Sequence, residues 1–308
     1  EPSLDKRIEP LASFAQDCCD DFGINHMIYL ATNGVMSREK AVRLCRYFDL
    51  IGLSCDGYPE IQDVQRPILG GGKSSHIVER TARVFQDQGQ DFHVRLTLTS
   101  DSWPAMPEIA DYLVETLHPK AINVELVYRS GTFPVREEEI SDFITAYLTA
   151  MERCSQAGIP WQRSAVRPDQ HHRQYCHILQ QTLQIVPGDA ATMCFLDNDL
   201  DECSLHKTQI GRFNPITKEW LFDENVIVKN RDKILQMQEL CNSCFIASHC
   251  HRACPDLCPI HSPSALPNRH CQLNRQLFSA YLEKIAEGLA LKCKIRQIPL
   301  AGQEILTC

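Results

Sequence analysis

Apolar residues recur along the first half of the chain in two alternating rhythms. HMIYLAT (26–32), LIGLSCDG (50–57), FHVRLTLT (92–99) and INVELVY (122–128) are short apolar or alternating runs, the pattern of β-strands. Between them lie SREKAVRLCRYF (37–48), SSHIVERTARVFQDQG (74–89), PAMPEIADYLVETL (104–117) and REEEISDFITAYLTAMERCSQAG (136–158), with helical spacing. Ser37 is placed to cap the first of these helices and Gly89 to stop the second. Strands alternating with helices predict an α/β fold, a parallel sheet with helices outside it. Ligand-bearing loops then sit at the carboxyl ends of the strands.

The rhythm breaks after Pro160. From about Trp161 onward come cysteines, histidines and proline-rich turns, with little regular periodicity. CPIHSPSALPNRHC (258–271) reads as loop and QLNRQLFSAYLEKIAEGLALK (272–292) as a closing amphipathic helix. These features place a domain boundary near residue 162, giving domains 1–162 and 163–292 and a tail 293–308.

Composition narrows the functions. The net charge of −8 argues against a nucleic-acid partner, which demands a basic face. No run of 18 apolar residues occurs, so no transmembrane helix is expected. EPSLDKRIEP has neither a basic nor an apolar leader region, so no signal peptide is expected, and without an initiator Met the chain reads as a fragment. Eight of the sixteen cysteines fall between Cys194 and Cys271, a clustering that in a reducing cytoplasm reads as metal or cluster binding rather than disulfides.

CNSCFIASHCHRAC (241–254) spaces four thiols as C-x2-C-x5-C-x3-C. A structural zinc would use Cys241 and Cys244 as one knuckle and Cys250 and Cys254 as a looser second. That reading leaves Cys176, Cys194, Cys203, Cys258 and Cys271 unexplained. Iron–sulfur cubanes each take four thiolates and commonly combine a short run with a distant cysteine. CHILQQTLQIVPGDAATMC (176–194) reads as a β-hairpin about a PGD turn, which brings Cys176 and Cys194 together.

The whole pattern, C-x11-G-x5-C, then C-x2-C-x5-C-x3-C, then Cys271, resembles the seven-cysteine signature of the SPASM domain of radical S-adenosylmethionine (SAM) peptide maturases. The gap from Gly188 to Cys194 is one residue longer than that family's usual one. The first half carries matching pieces in order. Glu1-Pro2 looks like the end of a G-G-E-P motif, ATNG (31–34) like the third-strand ending and SCDG (54–57) like S-x-D-G. DVQRPILGGGKSS (63–75) resembles the D-x2-R…G-x-G-S loop that follows.

The resemblance implies a partial (β/α)6 TIM-like barrel, missing its first strands, followed by a SPASM domain. It implies SAM held by Glu1 on its ammonium, by Asn33 at the third-strand ending, by Ser54 and Asp56 on its ribose, and by Val127 at adenine. Arg95 reads either as a strand residue of the site or as a surface charge. Two auxiliary 4Fe–4S clusters are implied, one on Cys176, Cys194 and Cys254, the other on Cys241, Cys244, Cys250 and Cys271. His171 or His172 is a candidate fourth ligand of the first, against the plainer reading of a solvated turn, and Cys203 and Cys258 fill no slot.

The implied partners are a peptide or protein substrate and an electron donor such as flavodoxin or ferredoxin, in the cytoplasm. A C-x3-C-x2-C motif, which would hold the SAM-cleaving cluster, does not occur in these residues, so SAM cleavage by them alone is not expected. Phe195 stands where sulfatase-maturating relatives carry an aspartate base, which weighs toward a ribosomal-peptide substrate. A non-catalytic iron–sulfur electron-transfer or scaffold protein and a zinc-stabilised binding module remain as alternatives.

Overall fold

The strand and helix rhythms of the first half build one parallel sheet. The computed structural model describes residues 1–127, 133–168, 170–171, 182–194, 208–252 and 268–295. The chain divides into two compact units, Glu1–Ser164 and Ala165–Cys308.

In the first unit β1 (Tyr29–Thr32), β2 (Leu50–Ser54), β3 (Phe92–Leu98), β4 (Ile122–Leu126) and β5 (Trp161–Gln162) lie side by side in chain order. Every neighbouring pair is parallel, as the alternation predicted. Parallel neighbours need crossovers, which α2 (Arg38–Leu44), α4 (Ser75–Asp87), α5 (Met106–Tyr112) and α6 (Ile140–Gln156) supply. Two α-helices of this unit lack a sequence prediction: α1 (Ile8–Asp21), which leaves Leu11 and Phe14 exposed, and the short α3 (Pro59–Gln65), which runs into the glycine-rich loop motif at Asp63.

One face of this sheet is apolar and the other polar. β3 buries Phe92, Val94, Leu96 and Leu98 and turns His93, Arg95 and Thr97 the other way. α4 buries Val78, Thr81, Ala82 and Phe85, three and four residues apart, and the Phe85 ring lies 5.7 Å from that of Phe92. On α6, Phe143 lies 5.7 Å from Trp103 and 6.3 Å from Tyr147, ring to ring. Each such side chain contributes about 1.5–3 kcal/mol when removed from water.

A buried polar network fixes the carboxyl end of β2. Asp56, 2% exposed, accepts from Thr97 N at 2.9 Å on one oxygen and from Gln65 at 3.0 Å and Arg66 at 2.7 Å on the other. Its own N–H donates to Gln62, which in turn donates to Ser74. A carboxylate this deep is tolerable only because each oxygen is bonded and a guanidinium neutralises it. Asp63 caps α4: one of its oxygens accepts from Ser74 N at 2.9 Å and Ser75 N at 2.8 Å. The serines themselves were the expected opening of this helix, yet Ser74 makes no side-chain cap.

The second unit contains a four-stranded antiparallel sheet of β6 (Gln184–Val186), β7 (Ala190–Thr192), β8 (Gln209–Asn214) and β9 (Glu219–Phe222). β6 and β7 are joined by a turn with Gly188 at φ 89° and Asp189 at φ 59°, which is the hairpin predicted from PGD. Its Cys176 end lies outside the described residues. α7 (Glu224–Leu240) and α8 (Arg269–Ile295) complete the unit. The residues after Trp161 have little regular periodicity, yet beyond the expected hairpin and closing helix they also form β8, β9 and α7. α8 also begins earlier than predicted, because Asn268 accepts from Cys271 N at 2.9 Å and caps it. Among the described residues no helix is long and apolar enough to cross a membrane.

Replacing Asp63 by Ala is expected to lower stability by about 1 kcal/mol in thermal unfolding, with Asp63→Asn retaining most of it. Burial acts to raise the Asp63 carboxyl, but the Ser75 and Ser74 bonds outweigh it and hold it below its ordinary value. The cap therefore contributes fully above the ordinary carboxyl range and is lost as pH falls through the folded value. Asp56→Ala strands Arg66 and Thr97 N and is expected to cost about 3–5 kcal/mol in urea unfolding.

Candidate functional site

At the carboxyl end of β1 the chain turns through Asn33 and Gly34. Gly34 has a φ of 73°, and a Cβ there would stand 2.5 Å from Leu53 Cδ1, so the turn requires glycine. Asn33 Oδ1 accepts from Val35 N at 2.9 Å and closes the turn. The turn aims its donors at Glu1. Asn33 N donates to Glu1 Oε2 at 2.7 Å, the Thr32 hydroxyl to Oε1 at 2.7 Å, and Ser3 N to Oε1 at 3.1 Å. Burial acts to raise the Glu1 carboxyl, but the bonds from Asn33, Ser3 and Thr32 outweigh it and hold it below its ordinary value. Glu1 is an anion at neutral pH.

Glu1 and Asn33 line a cleft of about 300 Å³. Gln62, Arg66 and Ser74 complete its polar side, and Leu4, Ile68 and Leu69 lie on its apolar side. Asp56 holds the Arg66 guanidinium in place, as described above, and the turn Ile68–Gly72 closes on itself through Ile68 N to Gly72 O at 2.9 Å. Gly70 and Gly71, at φ 90° and 83°, permit that tight reversal. The cleft wall thus carries one fixed anion and one fixed cation beside an apolar rim. That combination suits a zwitterion with an apolar chain, as in an α-amino acid moiety.

The other expected cofactor contacts lie elsewhere. Ser54 is buried, and Asp56 has both oxygens engaged within the protein, so Arg66 rather than Asp56 reaches the cleft. Val127, 39% exposed, closes β4 with its N–H on Leu98 O, and it does not line the cleft. Arg95 is exposed on the polar face of the sheet, near the pair Tyr29 Oη···His93 Nε2 at 3.1 Å, and has no ion pair among the described residues. Arg66 and Gln62 were not singled out from the sequence. The signal lay in the D-x2-R spacing of Asp63 and Arg66, which places them one helical turn apart at the end of α3.

In the second unit Cys241, Cys244, Cys250 and Cys271 are brought into one another's field. Burial raises the Cys241 thiol, and Cys271 and Cys244 raise it further. Burial pushes Cys250 up to about 12, against a bond from Asn274, and Cys271, Cys241 and Cys244 add to the shift. Cys271 is raised by burial too, while the Asn268 bond and Arg275 act the other way. Backbone bonds hold these positions: Cys244 N on Cys241 O at 2.9 Å, and Cys250 bridged antiparallel to Val166. His251 and His270, the residues beside Cys250 and Cys271, join Nε2 to Nε2 at 3.0 Å.

None of the ten cysteines whose side chains are described forms a disulfide. Among the described residues no group of three or more His, Cys, Asp or Glu side chains is gathered closely enough to hold a single metal ion. The donor set itself, four thiols with cationic Arg275 and an amide donor beside them, fits a cubane, which takes four thiolates. The same set serves zinc when all four sulfurs meet about 2.3 Å from one point. Of the other expected trio only Cys194 is described, buried just beyond β7, while Cys176 and Cys254 lie outside the described residues. His171 stacks on His249 with ring centroids 5.4 Å apart, and His172, Cys203, Cys258 and Phe195 lie outside the described residues.

No protein-family model matches this chain, and no curated protein matches it in sequence. Solved structures do. Native anSMEcpe with bound AdoMet and the Cp18Cys peptide superposes with a TM-score of 0.65 at 16% identity, over 94% of this chain and 84% of that one. Native anSMEcpe with bound AdoMet alone gives 0.62 at 15%, over 89% and 78%. Streptococcus suis SuiB bound to S-adenosylmethionine gives 0.59 at 14%, over 88% and 64%. At such identity the likeness is one of fold: this chain has the fold of anSMEcpe and of SuiB.

Proposed function

We propose that these residues are the greater part of a radical SAM peptide-modifying enzyme of the SPASM kind, without the C-x3-C-x2-C motif that such an enzyme uses to cleave SAM. In this reading the first unit is a partial barrel that takes SAM at the Glu1–Arg66 cleft. The second unit holds two auxiliary 4Fe–4S clusters, one of them on Cys241, Cys244, Cys250 and Cys271. The observation that carries the reading is the paired anion and cation of that cleft, in a chain sharing its fold with proteins that hold AdoMet. The Cp18Cys peptide in the anSMEcpe structure supports a peptide substrate.

In the complete enzyme a SAM-cleaving cluster held outside these residues would supply the radical that takes a substrate hydrogen, and the auxiliary clusters would supply the path for its electron. The chain's part is placement. Glu1, kept anionic by Asn33 and Thr32, pairs with the ammonium of the methionine moiety. Arg66, anchored by Asp56, takes its carboxylate. Leu4, Ile68 and Leu69 shield the aliphatic chain from water. Four thiolates in the second unit anchor a cluster that needs an external electron donor such as flavodoxin or ferredoxin.

Calorimetric titration of the 308-residue protein with SAM is expected to show binding, weakened about tenfold or more in Glu1→Gln and in Arg66→Gln. Equal affinity in both variants contradicts the assignment of the cleft. Because C-x3-C-x2-C is absent from these residues, binding without cleavage is expected, and 5′-deoxyadenosine formed under dithionite would falsify that point. After anaerobic reconstitution with iron and sulfide, Cys250→Ser and Cys271→Ser are each expected to lose about half of the bound iron. Zinc in place of iron in the unaltered protein would favour the binding-module alternative.

A further inference from the structure

We propose that Arg95, with Tyr29 beside it, receives an acidic side chain of the peptide substrate on the polar face of the parallel sheet. This rests on the peptide reading above and adds the class of residue that the peptide carries.

Three side chains converge over Gly52. The Tyr29 and His93 rings stack 5.4 Å apart at 14°, and Tyr29 Oη lies 3.1 Å from His93 Nε2. A Cβ on Gly52 would stand 1.9 Å from Tyr29 Oη and 2.9 Å from Arg95 Cδ. Glycine inside a strand weakens it, and here its bare backbone is the floor on which the phenol and the arginine stem meet. The register supports the grouping: Gly52 pairs with His93, and Ser54 pairs with Arg95 in the next row of the same face.

The group offers donors without an acceptor to use them. Arg95 is exposed and has no hydrogen bond or ion pair among the described residues. The acids on the neighbouring strands are engaged, Asp56 with Arg66 and Thr97 N and Glu125 with Ser164 N at 3.2 Å. Burial lowers the His93 imidazole below its ordinary value and Arg95 lowers it further, so His93 is neutral at neutral pH and Arg95 supplies the charge. Tyr29 can make a second hydrogen bond besides the one with His93. A guanidinium fork with a phenol at its side fits a carboxylate, which pairs with arginine through two parallel bonds. Arg95 does not line the Glu1–Arg66 cleft, and in the reading above the methionine carboxylate of SAM has Arg66. The anion left for Arg95 is one that the peptide brings.

The test is selection of phage-displayed short random peptides on the full chain, read by sequencing the bound members. Asp or Glu is expected to be enriched with the unaltered protein. The best acidic peptide is expected to bind about tenfold less tightly to Arg95→Gln in calorimetric titration. Arg95→Lys retains most of the binding, Tyr29→Phe loses less than Arg95→Gln, and Arg95→Glu abolishes the acidic preference. Arg95 is exposed, so its variants unfold at close to the temperature of the unaltered protein. Peptides enriched without an acidic residue, or an acidic preference that survives in Arg95→Glu, overturn the proposal and leave the peptide reading standing. So does a loss of SAM affinity in Arg95→Gln as large as in Arg66→Gln, which assigns Arg95 to the cofactor. Failure of any peptide to be enriched defeats the peptide reading itself, and the proposal falls with it.

Discussion

Burial governs the sulfurs of the second unit: it raises Cys241, Cys250 and Cys271, taking Cys250 up to about 12, and neighbouring thiols add to the shift, so these sulfurs keep their protons until a cation displaces them. Proteins tolerate such a gathering where a metal centre relieves it, because ligation replaces four protons by iron or zinc. Some of the surroundings in the second unit act against that burial and favour the charged state. Arg275 and Arg252 lie near the sulfurs, Asn274 donates to one of them, and Cys271 sits in the first turn of α8, where the helix dipole favours a thiolate.

The first unit solves a related problem with opposite charges. Asp56 is buried beyond the reach of water, and Arg66 makes that burial tolerable while keeping part of its own head exposed. The arrangement turns a structural ion pair into a fixed cation at the edge of a cleft. Glu1 is fixed in the same manner by backbone donors from the end of β1. Both groups sit at the carboxyl ends of parallel strands, the side on which an α/β sheet gathers its ligand-bearing loops. Rigid charges of both signs bind a zwitterion without paying to order flexible side chains.

Much of this was legible from residue patterns, and the limits have physical causes. FHVRLTLT became β3 because strict alternation matches a sheet with one apolar and one polar face. α4 and α6 declared themselves through apolar stripes at three and four residues. α1 carries Ile8, Ala12, Ala15 and Cys19 three and four residues apart, a stripe of mostly small residues, while its larger Leu11 and Phe14 remain exposed. α3 buries only Gln62 and offers no apolar stripe, and it runs directly into the glycine-rich motif. β8 and β9 show no clean alternation of buried and exposed positions, and their aromatic residues Phe213, Trp220 and Phe222 pack ring on ring. At the site, Glu1 and Asn33 were legible from their motifs. The part played by Arg66 was not, because it depends on Asp56 being enclosed by Gln65 and Thr97, which only folding brings together. Likewise Cys241, Cys244 and Cys250 stand out by spacing, whereas the approach of the Asn274 amide to Cys250 becomes meaningful once α8 is seen to start three residues before its predicted point.

The central claim is that the clustered sulfurs hold iron and sulfide. X-ray absorption at the iron edge of the anaerobically reconstituted protein tests it most directly. The account predicts a first shell made of sulfur alone and a second shell of neighbouring iron. A first shell dominated by nitrogen or oxygen, or an absence of iron beside iron, would contradict it.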